Sequence, residues 1–139
     1  MNDPATILLV EDDDFAAIVV TEMLSAEYDL QHVSSGQAAL KFLSQQLPDL
    51  VLLDVGMAGI SGYDVCRAIR NDPASKDLPV IFLSGSDGDA VRLAGDAAGG
   101  DDCLTKPVSA SALRSRIGFA LASHSRCLRA EDRSCRRLP

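Results

Sequence analysis

Five polar side chains stand where apolar runs stop. Ile7-Leu8-Leu9-Val10 ends in Glu11 and Asp12, and Leu50-Val51-Leu52-Leu53 ends in Asp54. The run up to Leu83 ends in Ser84, and Cys103-Leu104-Thr105 ends in Lys106, with Pro107 after it. Three carboxylates brought into one pocket repel one another. At about 4 Å each pair costs roughly 4 kcal/mol at an effective dielectric near 20. The pocket can answer with raised pKa values or with a bound cation. A hard divalent ion with oxygen ligands is the better answer, and Mg2+ typically takes one or two carboxylates and keeps waters for a phosphoryl group. Lys106 offers a fixed positive charge for a phosphate oxygen, and Ser84 a hydrogen bond to another. A carboxylate nucleophile in such company is suited to accept a phosphoryl group as an acyl phosphate.

Those residues can meet only if the runs are neighbouring strands. Each run is short and continuously apolar, as in a strand buried on both faces. Between them lie helical patterns. Residues 14–26 place Phe15, Ile18, Val19 and Met23 on one stripe, capped by Asp13 or Asp14. A second strand is expected over Tyr28 to Val33. A helix capped by Ser34 or Ser35 then runs to about Gln46, with Ala38, Ala39, Phe42 and Leu43 inward and Pro48 beyond its end. A loop with Gly56, Gly59 and Gly62 follows Asp54. Tyr63 to Arg70 reads as a helix burying Val65, Cys66 and Ile69, stopped at Asn71-Asp72-Pro73. A fourth strand spans Pro79 to Leu83. Residues 88–98 read as a weaker helix, diluted by Gly95 and closed by Gly99-Gly100. The last helix is expected over 109–123, with Leu113, Ile117, Ala120 and Leu121 inward. Five alternations predict an α/β fold: a doubly wound sheet of five parallel strands with five helices, in three α/β/α layers. In such sheets functional groups gather at the carboxyl ends of the strands, near a switch point.

The chain has 139 residues and a net charge of −7. Residues 1–122 hold 18 acids and 8 bases, and residues 123–139 hold five Arg against Glu131 and Asp132. The expected division is therefore a domain over 1–122 and a helix extension or disordered basic tail over 123–139. The acidic domain should repel nucleic acid and attract cations. No apolar run approaches the roughly 20 residues that span a membrane, and the first residues, without a basic segment and a long apolar run, are not expected to act as a signal peptide. Cys66, Cys103, Cys127 and Cys135 form no C-x-x-C pair or zinc spacing, which fits reduced thiols in a cytoplasm. Asp13 and Asp14 read as caps, Asp101 and Asp102 as solvated turn residues, and His32 and His124 as surface residues. Cys103 reads as a small packing residue.

Four segments together resemble the response-regulator receiver family: Ile7 to Asp13 (ILLVEDD), Leu50 to Gly62 (LVLLDVGMAGISG), Val80 to Ser84 (VIFLS) and Asp101 to Pro107 (DDCLTKP). The resemblance covers about residues 5–122 and implies a flavodoxin-like fold. It implies a phosphorelay module, not a turnover enzyme, in which a histidine kinase or histidine phosphotransfer protein donates a phosphoryl group to Asp54. It further implies that Asp12, Asp54 and the Gly56 carbonyl ligate Mg2+, with Glu11 acting through water. Ser84 takes the position of the switch hydroxyl, and Lys106 that of the family's lysine, with a cis bond to Pro107. Gly56 and Ser86 take the two variable positions flanking the phosphoryl group and would tune its lifetime.

The departures are specific. Cys103 stands where the family usually has a switch aromatic, Ala58 where it has Pro, and Val108 where it has Phe. These leave the acceptor chemistry intact and put the usual relay from Ser84 to the last strand and helix in doubt. A phosphorylation-independent protein-binding module on the same fold is the alternative. Arg116 matches a basic residue that one subfamily of DNA-binding regulators uses in dimers, but Ala112 replaces its acidic partner, so at most a weak homodimer is expected. A haloacid-dehalogenase-type phosphatase would need an Asp at Gly56 and a cap insertion. Residues 123–139 are not expected to hold a DNA-binding, cyclase or kinase segment, so output is expected from a partner protein or a missing domain.

Overall fold

The computed structural model describes residues 4–57, 59–85 and 98–130. Its five strands are β1 (Thr6–Val10), β2 (Asp29–Val33), β3 (Leu50–Asp54), β4 (Val80–Ser84) and β5 (Asp102–Thr105). Four helices are described: α1 (Asp14–Leu24), α2 (Gly36–Gln45), α3 (Gly62–Asn71) and α4 (Ala110–Ala130). The helix expected over 88–98, the variable position Ser86 and the loop residue Ala58 lie outside the described residues, Ala98 excepted.

All four strand pairings are parallel, in the order β2-β1-β3-β4-β5. The order reverses between β1 and β3, which is the switch point where such sheets place their sites. Strand parity sorts the core. Leu8, Val10, Val51, Leu53, Val80 and Phe82 face Ala39 of α2 and Val65, Cys66 and Ile69 of α3. Ile7, Leu9, Leu50, Leu52, Ile81 and Leu83 face Ala17, Val20 and Leu24 of α1 and Leu113 and Ile117 of α4. The central strands are thus covered on both sides, which is why they are apolar at every position. The edge strands β2 and β5 are more polar and more exposed.

The inward stripe of α1 differs from the sequence expectation. Phe15 and Ile18 are 74% and 59% exposed, and the buried face is Ala17, Val20 and Leu24. Asp13 caps the helix, its carboxylate accepting from the Phe15 N–H. That cap, together with the short Ala17 and Val20, lets the helix lie close to the sheet, with its bulkier residues turned outward. Helix α4 runs past residue 123 to Ala130.

Register and glycine place the acidic loops. A Cβ on Gly62, the first residue of α3, would overlap the carbonyl oxygen of Asp54 and crowd Val55 Cα at 3.1 Å. Only glycine lets α3 start this close beneath the end of β3. A Cβ on Gly56 would meet nothing within 4 Å, so that residue borders open space. Gly62→Ala should therefore cost about 1–3 kcal/mol in urea denaturation, the range for overpacking against fixed backbone, whereas Gly56→Ala should leave the midpoint nearly unchanged.

Candidate functional site

Val10 pairs with Leu53 in the register, so Glu11 follows at the level of Asp54. Asp54 in turn pairs with Leu83, and Ser84 pairs with Thr105 one rung further on. Four strand ends therefore finish within one rung of each other. Glu11 continues the parity of Ile7 and Leu9, and Asp54 that of Leu50 and Leu52, so the two carboxylates share a face. Carboxylate oxygens of Glu11, Asp12 and Asp54 lie within 4.8 Å of one another. Asp12 is exposed, while Glu11 is 1% and Asp54 6% exposed.

Lys106 closes the cluster. Its backbone N–H donates to the Ser84 carbonyl at 2.7 Å, which ties it to the end of β4. Its side chain reaches back across the sheet, placing Nζ 2.7 Å from Glu11 Oε1 and 3.4 Å from Asp54 Oδ1. The Lys106–Pro107 peptide is cis, as the family resemblance implies. The other Glu11 oxygen accepts from the Asp13 N–H at 3.3 Å, and Asp54 Oδ1 also accepts from the Gly56 N–H at 3.2 Å. Asp13 is thus both the cap of α1 and a donor to Glu11. Ser84 is buried at the end of β4 beside this row.

Burial pushes the Glu11 carboxyl above its ordinary value; the bond from Lys106 opposes this, and the nearby Asp54 charge adds to it. For Lys106 burial pulls downward, but the bond to Glu11 and the charges of Asp54 and Glu11 outweigh it, and its pKa lies above the usual value. Fully ionised, three carboxylates and one ammonium leave two negative charges uncompensated. At 4.8 Å a carboxylate pair still costs roughly 3–4 kcal/mol at an effective dielectric near 20. The donors are hard oxygens, and a divalent cation of the Mg2+ type fits both their chemistry and the charge excess.

All the sequence-predicted site residues that the structure describes stand at this one end of the sheet. Three polar residues have partners that the sequence did not announce. His32, expected at the surface, is exposed on β2, yet its Nε2 lies 2.8 Å from the Glu11 carbonyl oxygen. The parallel register was the missing clue: with Val33 opposite Val10, His32 lies opposite Leu9, and alternation turns it to the face that Leu9 and Glu11 share. Asp101, expected as a solvated turn residue, pairs with Arg70 at 2.9 Å and accepts from the Val80 N–H at 2.8 Å. Asp102 pairs with Arg116 at 2.8 Å. Cys103 packs with Tyr63 against the core cluster containing Phe82.

Residues 7–118 match the family described as the response regulator receiver domain. Among curated relatives, the chain is 36% identical over 114 residues to the response regulator PleD of Caulobacter vibrioides, covering 81% of this chain and 25% of that one. It is 37% identical over 117 residues to the transcriptional regulatory protein AfsQ1 of Streptomyces coelicolor, covering 84% and 51%. It therefore spans about a quarter to a half of these relatives. The signal receiver domain of a signal transduction histidine kinase from Syntrophus aciditrophicus superposes with a TM-score of 0.79 at 33% identity, over 85% of this chain and 90% of that one. The fold alone is shared with the chemotaxis protein CheY4 of Vibrio cholerae, at a TM-score of 0.81 and 24% identity over 85% and 99% of the two chains. Among the described residues, no helix is long and apolar enough to cross a membrane.

The raised Glu11 pKa has a consequence for stability. A carboxyl that binds its proton more tightly when folded adds stability below its ordinary value of 4.5, and this is lost as pH rises through the raised folded value. Lys106 acts in the same direction but much later, losing its contribution only as pH rises beyond 10.5. In EDTA, the stability difference between wild type and Glu11→Gln should move against the wild type as pH rises above 4.5. Urea melts at stepped pH measure it; a difference flat with pH would contradict the assignment.

Proposed function

Because this chain belongs to the response regulator receiver family of two-component signalling, we propose that Asp54 is its phosphoacceptor and that the phosphoryl donor is a histidine kinase or a histidine phosphotransfer protein. The observation that carries the reading is the meeting of Glu11, Asp12 and Asp54 within 4.8 Å, with the Lys106 ammonium against two of them. Asp12, Asp54 and the Gly56 carbonyl would hold Mg2+ directly and Glu11 through water. Bound there, the ion would neutralise the carboxylate excess and draw charge from the phosphoryl oxygens.

The chain's own residues account for the rest. An Asp54 carboxylate oxygen attacks phosphorus, forming the acyl phosphate P–O bond. The P–N bond to the donor imidazole breaks, and its electron pair leaves with the nitrogen. The Lys106 ammonium binds a phosphoryl oxygen where negative charge gathers, and the Ser84 hydroxyl donates to another. Gly56, with open space beside it, leaves room for the incoming group. The domain is proposed to act as a cytoplasmic module, with output carried by a partner or by a further domain.

Cys103 favours one competing reading. It packs where an aromatic switch would sit, which suits a partner-binding surface indifferent to phosphorylation. Acetyl phosphate with Mg2+ should label the wild type, EDTA should prevent this, and Asp54→Asn should abolish it. Lys106→Met should slow labelling about 100-fold or more, the usual loss when one charge-stabilising donor is removed. Phosphorylation measured by intact mass decides between the readings: an unlabelled wild type would leave only the binding module.

A further inference from the structure

The chemistry of the proposed site depends on the direction in which two adjacent side chains, Glu11 and Asp12, leave the backbone just past the end of β1. Edge strand β2 controls both backbone polar groups of Glu11. Its N–H donates to the Val33 carbonyl at 3.1 Å, extending the β1–β2 ladder by one bond. Its carbonyl oxygen lies 2.8 Å from His32 Nε2. A carbonyl oxygen only accepts, so this contact requires the imidazole to carry its proton on Nε2 and donate it.

The Glu11 carbonyl and the Asp12 N–H belong to one rigid peptide plane. Fixing that plane fixes ψ of Glu11 and φ of Asp12, and so the exit directions of both carboxylates. The other anchors of the loop act elsewhere: the Asp13 N–H and Lys106 hold the Glu11 carboxylate, and Asp13 caps α1. The imidazole is the group that holds the carbonyl of this plane.

We infer that His32 is a positioning residue for the acidic loop, orienting Glu11 and Asp12 toward a divalent cation through the Glu11 carbonyl without touching the cation itself. The inference rests on the reading of Glu11, Asp12 and Asp54 as an Mg2+ site. Outer partners that orient ligating groups typically change metal affinity roughly 10–100-fold when removed. His32 is exposed, so the effect here should be smaller, about threefold to tenfold.

The test compares wild type, His32→Ala and His32→Gln, whose amide N–H2 can donate to the same carbonyl. Mg2+ affinity is measured by titration calorimetry, metal-free stability by urea melts in EDTA, and the Asp12 and Asp13 amides by 15N NMR. The expected result is weaker Mg2+ binding by His32→Ala, an almost unchanged metal-free midpoint, shifted Asp12 and Asp13 amides, and recovery in His32→Gln. Recovery in His32→Gln, which restores the donor without an ionisable ring, separates orientation by the hydrogen bond from any effect of ring charge. Equal affinity in His32→Ala and a wild type that binds would overturn the positioning role alone. So would a loss that tracks metal-free stability and is not recovered by Gln. A wild type that binds no Mg2+ in the millimolar range would overturn the metal-site reading and this inference with it.

Discussion

The ammonium of Lys106 between Glu11 and Asp54 is the contact that the acidic end of the sheet depends on. Glu11 is almost fully buried, and a carboxylate there without a cation would pay a desolvation cost of several kcal/mol. Lys106 comes from beyond the edge strand β5, yet its charge sits over β3 and β1. Its backbone bond to Ser84 puts the start of the side chain beside β4, within reach of both acids. With the side chain about 29% exposed, its ion pairs are partly screened, but breaking them would still leave Glu11 buried and uncompensated. One ammonium cannot balance three carboxylates, and this residual negative charge suits the pocket to a cation as well as to an ion pair.

The sheet exists, for this purpose, to bring strand ends level. Apolar residues on both faces of β1, β3 and β4 lock their register, since a slip of one residue would exchange the two cores. Locked register holds Glu11 level with Asp54, and Ser84 one rung on. The opposite end of the sheet is tied by Arg70, which donates to the Leu78 carbonyl at 2.6 Å and the Gly99 carbonyl at 2.8 Å and pairs with Asp101. Gly99, at φ +94°, leaves room for that guanidinium, since a Cβ there would come within 2.9 Å of Arg70 Cγ. The polar network at this end fastens the start of β4 and the approach to β5, away from the acidic end where the phosphoryl chemistry is proposed.

Much of this was legible in the sequence because buried parallel strands are local signals. A short apolar run followed by a charge announces both a strand and its carboxyl end, as Leu50 to Asp54 does. The caps Ser35 and Asp13 and the α3 stripe of Val65, Cys66 and Ile69 are local too. The phase of α1 was not, because two apolar stripes compete along it. The sheet selects the one whose small residues permit close packing, so Phe15 and Ile18 point outward although they are the more hydrophobic in bulk. Contacts of long sequence separation were also hidden: Lys106 to Glu11 spans 95 residues and His32 to Glu11 spans 21. A pairing register, and not residue type, determines which surface histidine or turn aspartate acquires a partner.

The central claim is that these strand ends form one cation-assisted phosphoryl acceptor site at Asp54. A crystal structure of the chain grown with Mg2+ and beryllofluoride tests it most directly. Beryllofluoride should sit on an Asp54 oxygen in contact with Lys106 and Ser84. An octahedral ion should lie about 2.1 Å from Asp12, Asp54 and the Gly56 carbonyl oxygen. Beryllofluoride absent from Asp54, or an ion bound without Asp12 and Asp54, would contradict it.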